Sequence, residues 1–443
     1  MQFDTTYRVE RYALDLAWDQ VSPKAQERAR MSALDLLGAL TLGSRSRQFG
    51  VGLSLARSLG MSGDIPVIGA PDTFNLLGAA VACGHAANSY DIDDGYNMIK
   101  GHPGSSFVAG ALEASAEADA TWQQYLTTLV ACYEVAMRWA LAMQDHYGFL
   151  HSSGAYGAFG TALGIARVRG YSQEQLNNAL SIADFHAPMV PVMRSVEYPS
   201  NNKDGVPFGA LVGAMAALET EAGETGRGHL LELPEYAYLV DSLGSRYLME
   251  DLYYKPYTCC RWAHQPIDCC LELRRQHGFT HDQVVALRVH TFQAAALLSK
   301  QVPHDTEEAQ YNIAYPIAAA VVHGDLGYDQ IRDEALDNPD VHALMERLSF
   351  VVDPEMEAQF PEKRLAWVEV ELEDGSVLRS DVHAAPGEHT DPALCYEWVC
   401  DKFRRRTASV LESDVQERVI SLAGDAGTPV RDIIDTINRA LAR

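Results

Sequence analysis

Apolar residues recur at helical spacing over most of the chain up to about residue 265, and beyond that the spacing switches to the alternation of strands. Ser22-Pro23 places an N-cap hydroxyl before a proline at the first helical position, ahead of the apolar stretch from Met31 to Leu42. Thr121 with Gln124, and Ser172 with Gln175, have the spacing of capping boxes, in which each side chain satisfies the other residue's free backbone N–H. The first box precedes Leu126, Leu129, Val130, Tyr133, Ala136 and Trp139, and the second precedes Leu176, Ala179, Leu180 and Ala183. Both therefore open helices with an apolar face. Gly154 to Val168 and Phe208 to Gly223 are rich in Ala and Gly, and small residues let backbones approach, which predicts central helices packed on one another.

After about residue 282, Val285, Leu287 and Val289 alternate with Ala286, Arg288 and His290, and Val368, Val370 and Leu372 alternate with Glu369, Glu371 and Glu373. Asp374-Gly375 then predicts a hairpin turn into Ser376 to Asp381. Helical segments near Ile313 to His323 and Tyr328 to Ala335 lie between these strands, and helical spacing returns at Trp398 to Arg405 and Val430 to Leu441. The expectation is a mostly α protein. Residues 1–265 and 392–443 form a large all-helical domain, and residues 266–391 a smaller α+β domain with one solvated sheet face. The 443 residues exceed the size at which one core keeps growing, which agrees with two domains.

Charge narrows the function. Lys and Arg number 35 against 60 Asp and Glu, and the resulting net charge of -25 repels phosphate backbones and anionic lipid. No nucleic-acid or membrane partner is expected, and an anionic substrate needs a local positive pocket set against this field. The N-terminus lacks the pattern of a signal peptide and no run of about 18 apolar residues suggests a span, so a cytoplasmic protein is expected. The eight cysteines include no C-x-x-C pair and read as reduced, mostly buried thiols.

The densest polar cluster is Asn88 to Asp94 followed by Gly101-His102-Pro103-Gly104-Ser105-Ser106. Asp91, Asp93, Asp94 and His102 in one Gly- and Pro-bounded loop suit a general acid/base unit, a solvated turn capping a helix, or part of a metal site lacking its other ligands. His151 stands before a glycine-rich helix, where the dipole favours neutral imidazole; it is a base or a structural hydrogen-bonder. Lysine is scarce. Lys203 and Lys255 lie in loops dense with Gly, Pro and aromatics, and Arg261 and His264 follow Lys255 closely. A cation in such company needs an anionic partner, either a substrate carboxylate or an internal Asp or Glu. Tyr315 begins an apolar helix and is by itself an ordinary packing aromatic.

Taken in order, these stretches resemble the MmgE/PrpD family, which includes 2-methylcitrate dehydratases, cis-aconitate decarboxylase and an iminodisuccinate epimerase. The resemblance runs from Ala33-Leu34-Asp35-Leu36-Leu37-Gly38 through Asp91, His102-Pro103-Gly104-Ser105, His151, Lys203-Asp204-Gly205, Lys255-Pro256-Tyr257 and Tyr315 to the C-terminal hairpin. It implies a large helical domain with a smaller α+β lid, a homodimer, no metal or organic cofactor, and a site between the two domains. It also implies Asp91, His102, His151, Lys203, Lys255 and Tyr315 as catalytic positions, with Met189, Arg261 and His264 contributing to substrate binding.

The activity so implied is a lyase that dehydrates or hydrates a small polycarboxylate such as a 2-methylcitrate-like acid. An epimerase of an amino- or imino-dicarboxylate and a decarboxylase are the alternatives. Decarboxylases of the family carry Asp-Asp-Thr in the first loop, whereas Gly95 and Tyr96 follow Asp93-Asp94 here. The loop to His102 is one residue longer, Cys260 replaces a His, and the segment from Met189 to Lys203 is lengthened. These departures point away from the decarboxylase.

Overall fold

A computed structural model describes residues 4–442. The principal helices are α1 (Pro23–Gly43), α2 (Leu76–Ala87), α3 (Pro103–Glu117), α4 (Trp122–Tyr147), α5 (Ser153–Val168), α6 (Gln173–His186), α7 (Val206–Glu221), α8 (His264–His277), α9 (Ala314–His323), α10 (Tyr396–Thr407) and α11 (Val430–Leu441). The local signals act as expected. Ser22 Oγ accepts from Ala25 N at 3.1 Å with Pro23 in the first turn of α1. The Thr121/Gln124 and Ser172/Gln175 boxes close in both directions ahead of α4 and α6. The Ala- and Gly-rich helices α5 and α7 lie in backbone contact, since a Cβ at Gly209 would overlap the backbone of Gly154, and one at Gly213 the carbonyl of Ala158. Helix α4 is long and apolar enough by composition to cross a membrane, contrary to the reading of the sequence, but its apolar residues are buried in the protein core.

The first half is not wholly helical. Strands β1 (Ser62–Pro66) and β2 (Thr73–Phe74) pair antiparallel beside α2, a hairpin too short for alternation to announce. The larger sheet comprises β3 (Val284–Thr291), β4 (Leu348–Val352), β5 (Leu365–Leu372) and β6 (Val377–Arg379), in the order β4-β3-β5-β6, with β7 (His383–Ala384) also on β5. Strand β4 runs parallel to β3, and β3 and β5 are antiparallel. Leu287, Val289, Val368 and Val370 are buried, and α8 packs on β5. Val285 was expected to share that face but is 48% exposed, because the β3–β5 register shifts between Val284 and Ala286. Such a bulge re-aims the side chain at its site. On the other face His290 stacks on Trp367, its direct cross-strand partner, at 3.6 Å between ring centroids.

Buried apolar side chains fall into two clusters. The larger unites α1 to α7 with Val399, Phe403, Val430 and Ile434 of the C-terminal helices. The smaller draws on residues 257–370, with Ala39, Leu42, Tyr90 and Ile92 contributed from the first half. Segment 88–102, between α2 and α3, thus lies where the clusters meet. Tyr328 to Ala335, expected as one helix, is a single α turn at Tyr328–Ile331 followed by a 3₁₀ turn at Asp333–Ala335.

Candidate active site

Segment 88–102 is almost wholly buried although it is neither helix nor strand, so its polar groups must find partners inside the protein. Asn88 Nδ2 donates to Asp93 Oδ1 at 2.8 Å. Asp94 accepts from the backbone N–H of Gly104 at 3.0 Å, at the start of α3, and from the Tyr133 hydroxyl of α4. Burial pushes the Asp94 carboxyl up to about 7 against those bonds, with Asp35 and Asp93 adding to the rise. Asp94 therefore anchors the loop to α3 and α4. Asp91 holds a left-handed backbone with φ of 53°, and Lys203 does so with φ of 40°. Non-glycine residues in that region cost on the order of 1–2 kcal/mol, and they cluster at functional sites.

Around Asp91 the structure gathers charges from three distant segments. Its Oδ2 is 2.7 Å from Lys255 Nζ, and its Oδ1 is 3.4 Å from His102 Nε2 and 3.9 Å from Lys203 Nζ. His102 also has Asp93 at 3.2 Å from Nδ1 and Asp204 at 3.6 Å from Nε2. Burial and the Lys255 charge oppose protonation of His102, but Asp93 and Asp91 outweigh them and raise it above its ordinary value. Burial works against ionisation of Asp91, yet Lys255, Lys203 and His102 hold its carboxyl below the usual range. For Lys255 the order is the same, with burial overcome by Asp91, so the ammonium is held charged. Lys203 differs: burial lowers it despite Asp91 and Asp93. Its ammonium donates to the Asn88 carbonyl and, at 2.7 Å, to Gln310 Oε1. Asp204 is raised, first by burial and then by Asp91.

These groups border a cavity of about 280 Å³ lined from both halves of the chain. Asp91, His102, Asp204, Lys255, Cys260 and Tyr311 are among its polar residues, and Leu150, Val192, Trp262 and Phe360 among its apolar ones. Gly95 explains how the altered first loop fits. Its N–H and C=O each bond the backbone of Tyr253 at 3.0 Å, and a Cβ at Gly95 would overlap the Tyr253 ring, which also lines the cavity. A larger residue at position 95 is incompatible with Tyr253 in this place.

Of the residues expected from sequence, Asp91, His102 and Lys255 come together on the cavity wall, and Lys203 lies directly behind Asp91. Arg261 lines the cavity too, but its guanidinium is committed to Glu388 at 3.0 Å and to the carbonyls of Pro386 and Ala385. His264 is off the cavity, with Nε2 against the Cys259 carbonyl at 3.0 Å and burial lowering it well below its usual range. His151 is buried on Phe149, with ring centroids 3.7 Å apart; burial lowers it to about 4, and neither ring nitrogen has a partner among the described residues. Met189 lines a different cavity with Tyr147, Phe149 and Phe185. Tyr315 belongs to the smaller apolar cluster, where its hydroxyl donates to the Gln330 carbonyl at 2.9 Å.

Among the residues that sequence reasoning passed over are Asp204, within the Lys203-Asp204-Gly205 motif, and Tyr311, close before Tyr315. Both line the cavity, and Tyr311 is raised well above its usual range by burial and by Asp204 and Asp91. Asp91, His102 and Asp204 also stand close enough together to share a metal ion. Lys255 at 2.7 Å and Lys203 at 3.9 Å from Asp91 already place two buried ammonium groups there, and a divalent cation would have to sit against both. All eight cysteines are free; Cys395 is exposed and Cys260 partly so.

A family model described as the MmgE/PrpD N-terminal domain matches residues 8–245, and one described as the MmgE/PrpD C-terminal domain matches residues 257–425. A cis-aconitate decarboxylase-like protein of Aspergillus oryzae is 24% identical over 397 residues, covering 80% of each chain. The 2-methylcitrate dehydratase of Escherichia coli is 23% identical over 353 residues, covering 73% of this chain and 72% of its own. The cis-aconitate decarboxylase of Aspergillus terreus is 21% identical over 475 residues, covering 98% of this chain and 96% of its own.

Proposed function

The chain belongs to the MmgE/PrpD family, and on that footing we propose that it is a lyase that removes water from, or adds it to, a small polycarboxylate by general acid/base catalysis. The observation that carries this reading is His102, set on the cavity wall with Nε2 3.4 Å from Asp91 and 3.6 Å from Asp204. Its raised pKa keeps the imidazolium populated near neutral pH, as the acid that protonates a leaving hydroxyl must be.

Taking a proton from the carbon beside a carboxylate builds negative charge on that carboxylate, and a fixed cation must meet it as it develops. Lys255, held charged by Asp91, is the cation on the cavity wall that supplies this. Asp204, whose affinity for a proton is raised, receives the proton. Asp91 positions both Lys255 and His102, and Lys203 supports Asp91 from behind. Tyr311, not Tyr315, is the tyrosine beside the reacting atoms, and His151 takes no part in these steps. Segment 266–391 serves as the lid, contributing Ala294, Tyr311, Phe360 and Arg364 to the wall. The protein works as a homodimer, to which the exposed side chains Tyr147, Phe149 and Phe185 around one cavity lend themselves.

Incubating the full chain with a panel of hydroxy-tricarboxylates and their unsaturated products tests this, with absorbance of the new conjugated double bond as the readout. Release of carbon dioxide without loss of water would make it a decarboxylase. Solvent deuterium at the α-carbon with inversion and no double bond would make it an epimerase. No turnover on any member of the panel refutes the lyase.

A further inference from the structure

The cations of the cavity are not equally provided for. Lys255 has Asp91, Arg261 has Glu388, and His102 has three carboxylates within 3.6 Å. Two others on the same wall, Lys100 and Arg364, have no acidic partner at salt-bridge distance among the described residues. Arg364 is buried; one guanidinium nitrogen donates to Asn97 Oδ1, and Nε is buried without a partner among the described residues. Asn97 is in turn held by its Nδ2 on Glu388 at 3.1 Å; Glu388 feels the Arg364 charge but is paired with Arg261, and no carboxylate among the described residues reaches Arg364 at salt-bridge distance.

The backbone at Lys100 adds to this. It lies in the left-handed region at φ 49°, in a turn closed by the Tyr96 N–H on the Gly101 carbonyl at 3.1 Å. Glycine or asparagine suits that conformation, and a lysine there costs about 1 kcal/mol or more. Its ammonium makes no hydrogen bond with the described residues, although it is half-buried in the cavity. Burial and then Arg364 lower its pKa, as expected of two like charges sharing one space. A like-charged pair of this kind, one member buried and the other half-buried, is stabilised by an anion that bridges it.

We propose that Lys100 and Arg364 form a second carboxylate subsite, one that grips a substrate carboxylate remote from the carbon next to His102 and Lys255. The inference rests on the acid/base reading of the same cavity and makes its substrate at least a dicarboxylate: one carboxylate on Lys255, where charge develops, and another between Lys100 and Arg364. The protein's overall charge of -25 disfavours such a ligand, so affinity must come from this local surplus of positive charge.

Calorimetric titration of the full chain with propane-1,2,3-tricarboxylate tests this without turnover, because that acid has no hydroxyl to lose; butyrate is the monocarboxylate control. The wild type should bind the tricarboxylate at least about tenfold more tightly than butyrate. Lys100→Met and Arg364→Met should each weaken tricarboxylate binding by about tenfold or more and leave butyrate unchanged, with Lys100→Arg restoring most of the loss. The Lys100 ammonium makes no hydrogen bond with the described residues, so Lys100→Met keeps the test open if Arg364→Met fails to fold. Unchanged tricarboxylate affinity in Lys100→Met, or equal affinity of the wild type for the two acids, overturns the subsite. Those results leave the lyase reading standing, whereas a wild type that binds the tricarboxylate through Lys100 yet turns over no polycarboxylate refutes the lyase alone.

Discussion

The carboxylate of Asp91 lies 2.7 Å from the ammonium of Lys255, both side chains fully shut off from solvent, and the same carboxylate is 3.4 Å from the imidazole of His102. One side chain thus sets the charge of two others. Replacing it by the isosteric amide separates that role from shape. Asp91→Asn strands the buried Lys255 cation, a change that costs about 3–5 kcal/mol when one partner of a buried pair is lost. It also removes one of the carboxylates that raise His102, so the alkaline limb of the pH–rate profile should move to lower pH. Denaturant melts and a kcat profile check both. Wild-type stability in Asp91→Asn would mean that the ion pair is not what holds this loop.

Tyr311 and Tyr315 stand four residues apart and differ in surroundings. Tyr311 lines the cavity near Asp204 and Asp91, and Tyr315 donates its hydroxyl to the Gln330 carbonyl at 2.9 Å. Tyr315→Phe should therefore cost about 1 kcal/mol of stability, the net worth of one hydrogen bond, and leave kcat alone. Tyr311→Phe should change stability little and lower kcat/KM by about tenfold or more, as expected for loss of one proton-transfer or binding group. A kcat defect confined to Tyr315→Phe would return that residue to the site.

The same pair shows how far the sequence carries. Residue types and local spacing pointed to a helix start, a Gly/Pro-bounded acidic loop and scarce lysines in aromatic loops, and Asp91, His102 and Lys255 do meet. Spacing does not reveal which of two tyrosines one helical turn apart faces a cavity, because both suit an apolar helix start. Nor does it show that Glu388, far along the chain, takes up Arg261, or that Lys100 and Arg364 share a wall. Those pairings depend on how the two apolar clusters meet. The capping boxes were legible for the opposite reason, each being complete within four residues. Strand β4 was not, since its parallel pairing with β3 is non-local and its side chains are largely exposed.

Outside the site, Glu113 on α3 makes the folded state itself pH-dependent. It is fully buried, with Cys83 beside it, and burial raises its carboxyl from 4.5 to about 8. Because the folded value is the higher one, the neutral acid's contribution is complete below 4.5 and is lost as pH rises from 4.5 through 8. Over that window it amounts to several kcal/mol, at about 1.4 kcal/mol per unit. Glu113→Gln keeps the shape and cannot ionise. The variant's stability relative to the wild type should be steady at and below about pH 4 and rise progressively from there toward pH 8, with the other titrating groups cancelling in the difference. Denaturant melts of both proteins at four or five pH values measure this directly, and a constant stability difference across the series would show that Glu113 ionises as freely in the folded chain as in the unfolded one.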